Sequence, residues 1–375
     1  MTRLLCALLG LGLAACPPLD DERVADAAGD DDRPGGVPAT PAPAVDVGVG
    51  VDVDVEVDVG VDVEVDDVVD GDEGEGEVDA GPDEGPTPDV GEGEGEGEAA
   101  PGFFFAVGYG GRRMTSLDGT TWQNDQSDVD DGGDDNHLLR DACSGDGVYL
   151  AVGGSSQARV LSTLDGVTYE SFVDDRGWLG GCAYGDGVFV AVGSDRSIRS
   201  LDGGVTWTDP TVQRVNGRNW QARDIAFGAG RFVAAGDEGV STSVDGINWS
   251  SPTGPSVEHV AFGDGVWIAL GDGSRGRSTD GVTWTFTTGG GRDVVHDGQR
   301  FVSVGNGVVQ TSRDGLSWQQ TSGPSHELLA HGGGVYVTAT WSNRRRASSD
   351  LVTWREVGDD GGNALASIVF GDPAR

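Results

Sequence analysis

Between Ala222 and Thr253 the chain carries four short apolar runs separated by turns: Asp224 to Phe227, Arg231 to Ala235, Gly239 to Val244 and Ile247 to Ser251. Runs of this length bounded by Gly and Asp predict strands. Four of them in a unit of roughly 35 to 47 residues predict one blade of a propeller. The same columns return along the chain. The first run reads CAY at 182–184, IAF at 225–227, VAF at 260–262, VVH at 294–296, LAH at 329–331 and IVF at 368–370. The second opens on an aromatic at Tyr149, Phe189, Phe232, Trp267, Phe301 and Tyr336.

Between the third and fourth runs stands one repeated phrase: a small polar residue, a variable residue, Asp-Gly, two variable residues and an aromatic. Its copies are SLDGTTW (116–122), STLDGVTY (162–169, one residue longer), SLDGGVTW (200–207, also longer), SVDGINW (243–249), STDGVTW (278–284), SRDGLSW (312–318) and SSDLVTW (348–354). In such a turn the Asp carboxylate can accept backbone N–H groups, Gly supplies a positive φ, and the aromatic packs down to pin the loop. Seven equivalent copies cannot all be one active site, so Asp118, Asp165, Asp202, Asp245, Asp280, Asp314 and Asp350 are expected to be structural. The last copy has Leu351 where Gly is expected, which predicts an altered turn.

The two ends of the repeat region are complementary. FFFAVG (103–108) supplies a second strand with no first strand before it, and ALASIVFGD (364–372) supplies a first strand with no blade after it. The C-terminal strand is therefore expected to complete the N-terminal blade. The predicted fold is all-β: a closed ring of seven four-stranded blades over 103–375, with no open edge.

Charge separates this region from what precedes it. Residues 17–102 hold 29 Asp and Glu against 2 Arg, whereas 103–375 hold 34 against 21; with Arg3 this gives the net charge of -39. The segment 16–102 is low in complexity, with Val-Asp and Val-Glu alternation from Val45 to Asp70 and Gly-Glu runs to Gly102. Like charges would stand opposite one another in any strand pairing, and few aromatics leave little to offset chain entropy. A disordered, self-repelling acidic linker is expected. Nucleic-acid binding is not expected of so acidic a chain.

Residues 1–15, MTRLLCALLGLGLAA, pair a basic start with an apolar run too short to span a bilayer, as an export signal does. Leu13-Ala14-Ala15-Cys16 resembles the bacterial lipobox, which implies lipidation of Cys16 and a membrane anchor. Pro17-Pro18 lack the Asp that retains such lipoproteins at the inner membrane, so the outer membrane, with possible surface exposure, is the expected site.

The repeated phrase resembles the Asp-box, or BNR, repeats of sialidases, sortilin-type receptors, xyloglucan hydrolases and photosystem II assembly factors. The resemblance covers 103–375 and implies the propeller fold without an activity, because those families do unrelated things on it. The sialidase Arg-x-Pro signature is absent: Arg112-Arg113 are followed by Met114-Thr115. Tyr149, Tyr169, Tyr184 and Tyr336 fall in packing columns, which leaves only Tyr109 off-column.

Other candidate chemistry is sparse. The insertion 123–136 concentrates Asp125, Asp128, Asp130, Asp131, Asp134 and Asp135. It lacks the register of a calcium loop, so a solvated loop is expected and no cofactor is assigned; calcium, on Asp125, Asp128, Asp130, Asp131 and Asp134, is the best metal candidate. His296 and His331 share a column with Phe227 and Phe262, which favours packing over ligation. Cys143 and Cys182 lie on first strands of successive blades, one column apart, and are a candidate disulfide that spatial proximity must decide.

Function is then expected by class. The first reading is a membrane-anchored, non-enzymatic and monomeric binding or scaffold module presenting loops to a protein or glycan in the cell envelope or outside. The alternatives are a glycan-acting hydrolase with carboxylates at the central mouth, and an envelope assembly factor.

Overall fold

The computed structural model describes residues 102–129, 135–208, 211–212, 214–215 and 218–371. The signal segment, Cys16 and the linker up to residue 101 lie outside them, as do Asp130, Asp131 and Asp134.

Seven antiparallel sheets form a ring of blades. Blade 1 consists of Phe103–Gly108, Arg113–Ser116 and Gln123–Gln126, with Leu365–Gly371 as its innermost strand. That last strand pairs antiparallel to the first, Phe104 opposite Phe370 and Val107 opposite Ser367, so the ring closes as the two orphan strands require. Blades 2 to 7 begin with innermost strands Leu139–Gly145, Leu179–Gly185, Ala222–Gly228, His259–Gly263, Asp293–His296 and Leu328–Gly332. Each innermost strand touches its neighbours all the way round.

Apolar residues from facing blades fuse into seven buried clusters, one at each blade interface. Val190, Val192, Trp220, Ile225 and Phe232 join blades 3 and 4, for example. Each fully buried aliphatic or aromatic side chain contributes about 1.5–3 kcal/mol. The first strands add a relay of rings. A Cβ on Gly228 would stand 2.1 Å from the Phe262 ring of the next blade, and one on Gly185 2.0 Å from the Phe227 ring. Glycine is needed there because the neighbouring ring lies on the backbone. His296 and His331 occupy this ring column, packed on Phe301 and Tyr336, and so serve as core rings.

Two local expectations are corrected. Blade 4 has three strands, Ala222–Gly228, Arg231–Gly236 and Gly239–Ser243, and the run from Ile247 to Ser251 is not a fourth. The Ser250 hydroxyl there takes the Thr242 amide that a ladder carbonyl would have taken, leaving only an isolated bridge between Val240 and Thr253. The turn at Leu351 is not altered: Leu351 adopts φ +64° and its amide still donates to Ser348 Oγ at 2.9 Å. Its side chain is buried beside Val304 and Tyr336, which offsets the cost of a left-handed non-glycine residue.

Candidate binding mouth of the central channel

The seven phrase aspartates are occupied by their own turns. Asp118 Oδ1 accepts the Thr120 and Thr121 amides at 2.7 and 2.6 Å, and Asp280 Oδ1 accepts those of Val282 and Thr283 at 2.9 and 2.7 Å. The pattern recurs at Asp165, Asp245, Asp314 and Asp350, and at Asp202 with Thr206. In the second copy Thr163 is the small polar residue bonded to Asp165, so that copy is no longer than the others. Backbone amides hold Asp165 and Asp350 down to about 2, and the Thr206 hydroxyl does the same for Asp202. These carboxylates lie between third and fourth strands, on the face opposite the start of every innermost strand.

That opposite face opens on the channel. The innermost strands surround a space of about 540 Å³, and its mouth is a hollow of about 320 Å³ lined by Arg223, Glu258, His259, Arg292, Glu327 and Trp341, among others. One register position inside the mouth carries, in order round the ring, Ser367, Asp141, Gly181, Asp224, His259, Asp293 and Leu328. Each of the three aspartates clasps the following blade: Asp141 Oδ2 accepts Cys182 N at 3.0 Å, Asp224 Oδ2 accepts Val260 N at 2.8 Å, and Asp293 Oδ2 accepts Leu329 N at 2.7 Å. Burial pushes Asp141 up to about 6 and Asp293 to about 7, and raises Asp224 well above the usual carboxylate range. His259 stands between Asp224 and Asp293, its Nδ1 3.9 and 3.8 Å from their oxygens. Burial, with Arg292 and Arg223 nearby, lowers it to about 4 and keeps it neutral.

One residue nearer the mouth, the strands bulge. Register shifts isolate Arg140 between Leu139 and Asp141, Gly180 between Leu179 and Gly181, Arg223 between Ala222 and Asp224, and Ala366 between Leu365 and Ser367. Glu258, Arg292 and Glu327 precede the other three innermost strands, their amides bonded to Leu270, Val304 and Ala339 carbonyls. A bulge re-aims its side chain. The rim thus reads Ala366, Arg140, Gly180, Arg223, Glu258, Arg292, Glu327 in blade order.

These charges are largely unpaired. Arg292, Glu258 and Glu327 make no side-chain hydrogen bond or ion pair with any described residue. Arg140 stacks 5.0 Å over Trp178 and donates only Nε, to the Gly154 carbonyl at 3.0 Å. Arg223 is bonded through Nε and one terminal nitrogen to Asp237. Tyr109 and the half-exposed Trp341, their rings 5.1 Å apart, stand on loops of the same face.

The long connections also leave from this face. The acidic insertion supplies strand Gln123–Gln126 and then leads to blade 2. Two of its described aspartates are committed to arginines: Asp125 to Arg112 at 2.7 Å, and Asp128 to Arg113 and Arg159 at 2.8 and 2.6 Å. Carboxylates neutralised in this way are poor calcium ligands. No group of three His, Cys, Asp or Glu among the described residues is placed to hold a metal. Cys143 and Cys182 have Cα atoms 5.7 Å apart with their sulfurs at bonding distance, across the interface of blades 2 and 3.

The rim was missed in the sequence although a signal was present. Arg-Asp opens the first strand three times, at 140–141, 223–224 and 292–293, always in the same column. The three pairs are far apart in the chain and come together only when the ring closes.

No protein-family model matches the chain, and no curated protein matches it in sequence. Among solved structures it is similar to YCF48 bound to a D1 peptide, with 16% identity over 58% of this chain and 81% of that one and a TM-score of 0.48. It is similar also to the WD40 β-propeller domain of Doa1, with 15% identity over 63% and 90% and a TM-score of 0.47. A third likeness is to a chain of a nidogen and laminin complex, with 14% identity over 72% and 97% and a TM-score of 0.44. At these identities the likeness is one of fold.

Proposed function

We propose that the chain is a lipid-anchored, non-enzymatic binding module whose seven-bladed propeller presents the channel mouth to a protein or glycan partner in the cell envelope. The observation that carries this is the rim: a ring of mostly unpaired Arg and Glu side chains, flanked by Tyr109 and Trp341, on the face from which the long connections leave. Arg, Trp and Tyr are the side chains that most often anchor interfaces. The Asp-box repeats act as scaffold on the other face. Cys16 carries the lipid, the acidic linker supplies reach from the outer membrane, and the domain works as a monomer. Substituting Cys16 with Ser should release the protein from membranes.

A glycan-acting hydrolase takes second place. Asp224 and Asp293, with His259 between them, are no further apart than the roughly 6.5–9.5 Å of an inverting pair. Yet both oxygens of each accept a backbone amide, at 2.7 and 2.8 Å for Asp224 and at 2.7 Å twice for Asp293. That is the bonding of a clasp between blades.

Capture from intact envelopes tests the reading. Wild type, a rim variant (Arg292→Gln with Glu327→Gln) and a variant of the opposite face (Leu164→Ser with Leu201→Ser) are compared. Loss of one defined partner with the rim variant alone supports the proposal. Loss with the opposite-face variant alone overturns it, as does glycan turnover abolished by Asp293→Asn.

A further inference from the structure

We infer that the mouth recognises an extended peptide segment through an acidic side chain, gripped by Arg140, Arg223 and Arg292. The inference rests on the mouth being the binding face and names the chemistry it reads.

The three arginines come from alternate blades and share one column, Arg140 and Arg223 at bulges and Arg292 just before its strand, so all three stand on the face that opens the channel. Arg292 has no described side-chain partner, and neither terminal nitrogen of Arg140 is bonded to a described residue. Guanidinium forks match a carboxylate in geometry and charge. The anion would rest at the rim, because the arginines stand there and the wall below, lined by Asp141, Asp224 and Asp293, offers it no cation. The positions beside Arg140 are Ala366 and Gly180, which leave room for a chain to cross the rim. Trp341 and Tyr109 offer an apolar neighbour for the next side chain, the common pairing of an aromatic anchor with a charged one. Glu258 and Glu327 then act as discrimination: they disfavour a second acid and favour a basic residue beside the first.

The test uses the full chain and fluorescein-labelled decapeptides of Gly, Ser and Ala carrying Trp-Asp-Lys, Trp-Asn-Lys or Trp-Asp-Asp at the centre, all amidated. A fourth peptide carries Trp-Asn-Lys with a free C-terminal carboxylate. Binding is read by fluorescence polarisation. The Trp-Asp-Lys peptide should bind about tenfold or more tightly than its Asn counterpart, as expected for hydrogen bonds to a charged group. Arg292→Gln should bring that ratio close to one at an unchanged melting temperature; Arg140→Gln should do the same, but Arg292 is the cleaner variant because it supports no described contact. Glu258→Gln with Glu327→Gln should let the Trp-Asp-Asp peptide bind as well as Trp-Asp-Lys.

Equal binding of the Asp and Asn peptides, tightest binding of the free-acid Asn peptide, or no binding of the Asp peptide overturns the inference. Blocking the mouth by Ala366→Cys labelled with a bulky maleimide separates the two levels. If peptides bind without regard to Asp yet the block abolishes them, only the carboxylate reading fails. If they bind despite the block, the mouth itself is excluded.

Discussion

The Ser367 hydroxyl donates to Asp141 Oδ1 at 2.8 Å, tying the last strand of the chain to blade 2. At the other end of that strand the Tyr149 hydroxyl donates to the Gly371 carbonyl at 2.8 Å and accepts the Phe103 amide at 3.1 Å. The ring is therefore closed by blade pairing and latched by side chains from the next blade. Removing residues 364–375 should abolish cooperative unfolding, since Phe103–Gly108 would become an open edge. Ser367→Ala should cost only about 1 kcal/mol in urea denaturation.

Gly228 is held by the Phe262 ring 2.1 Å from where its Cβ would lie. Gly228→Ala should destabilise by about 1–3 kcal/mol, the usual cost of overpacking. Gly230→Ala, at a turn with open space around it, tests backbone strain alone, because its φ is +71°.

Leu351 combines a left-handed backbone with a buried side chain. Leu351→Ala keeps the strain and loses the burial, so about 2–3 kcal/mol should be lost. Leu351→Gly loses the same burial but relieves the strain, and should be the more stable of the two by about 1 kcal/mol. In most buried positions the order is the reverse, which thermal melts of the two variants will show.

The channel aspartates and the turn aspartates should respond oppositely to pH. Asp293 titrates near 7 in the fold against an ordinary value of 3.8, so the native state binds its proton more tightly than the unfolded chain. Its contribution is full below about pH 4 and is lost as pH rises towards 7. The Asp224 and Asp293 side chains keep 22% and 20% exposure to channel water, which moderates the effect to roughly 1–3 kcal/mol. Asp293→Asn should flatten this slope. The turn aspartates, lowered to about 2 at Asp165 and Asp350, stabilise the fold above about pH 4, and their contribution fades as the pH falls towards 2.

Cys143 and Cys182 close a loop with a sequence separation of 39. Under oxidising conditions Cys143→Ala with Cys182→Ala should lower stability by about 2–4 kcal/mol. Mass analysis of the native protein before and after reduction checks the bond directly.

The blades were legible because each repeats its apolar columns and its Asp-Gly turn, and the closure because Phe103 and Phe370 belong to orphan strands that need each other. The absence of a fourth strand from blade 4 was not, since the Ser250 hydroxyl competes with the backbone there. The rim was hidden for a different reason. A bulge moves one residue out of the alternation, so Arg140 and Arg223 look like ordinary strand positions until the pairing of Asp141 with Val152 and of Asp224 with Ala235 is known.

Site-specific photo-crosslinking tests the binding face most directly. A benzophenone side chain is placed at the exposed Ser342, beside Trp341 at the mouth, or at Leu201 on the opposite face, in cells with intact envelopes. The account predicts one discrete crosslinked partner from position 342, lost with Arg292→Gln, and none from 201. A discrete partner from 201 with none from 342 would contradict it.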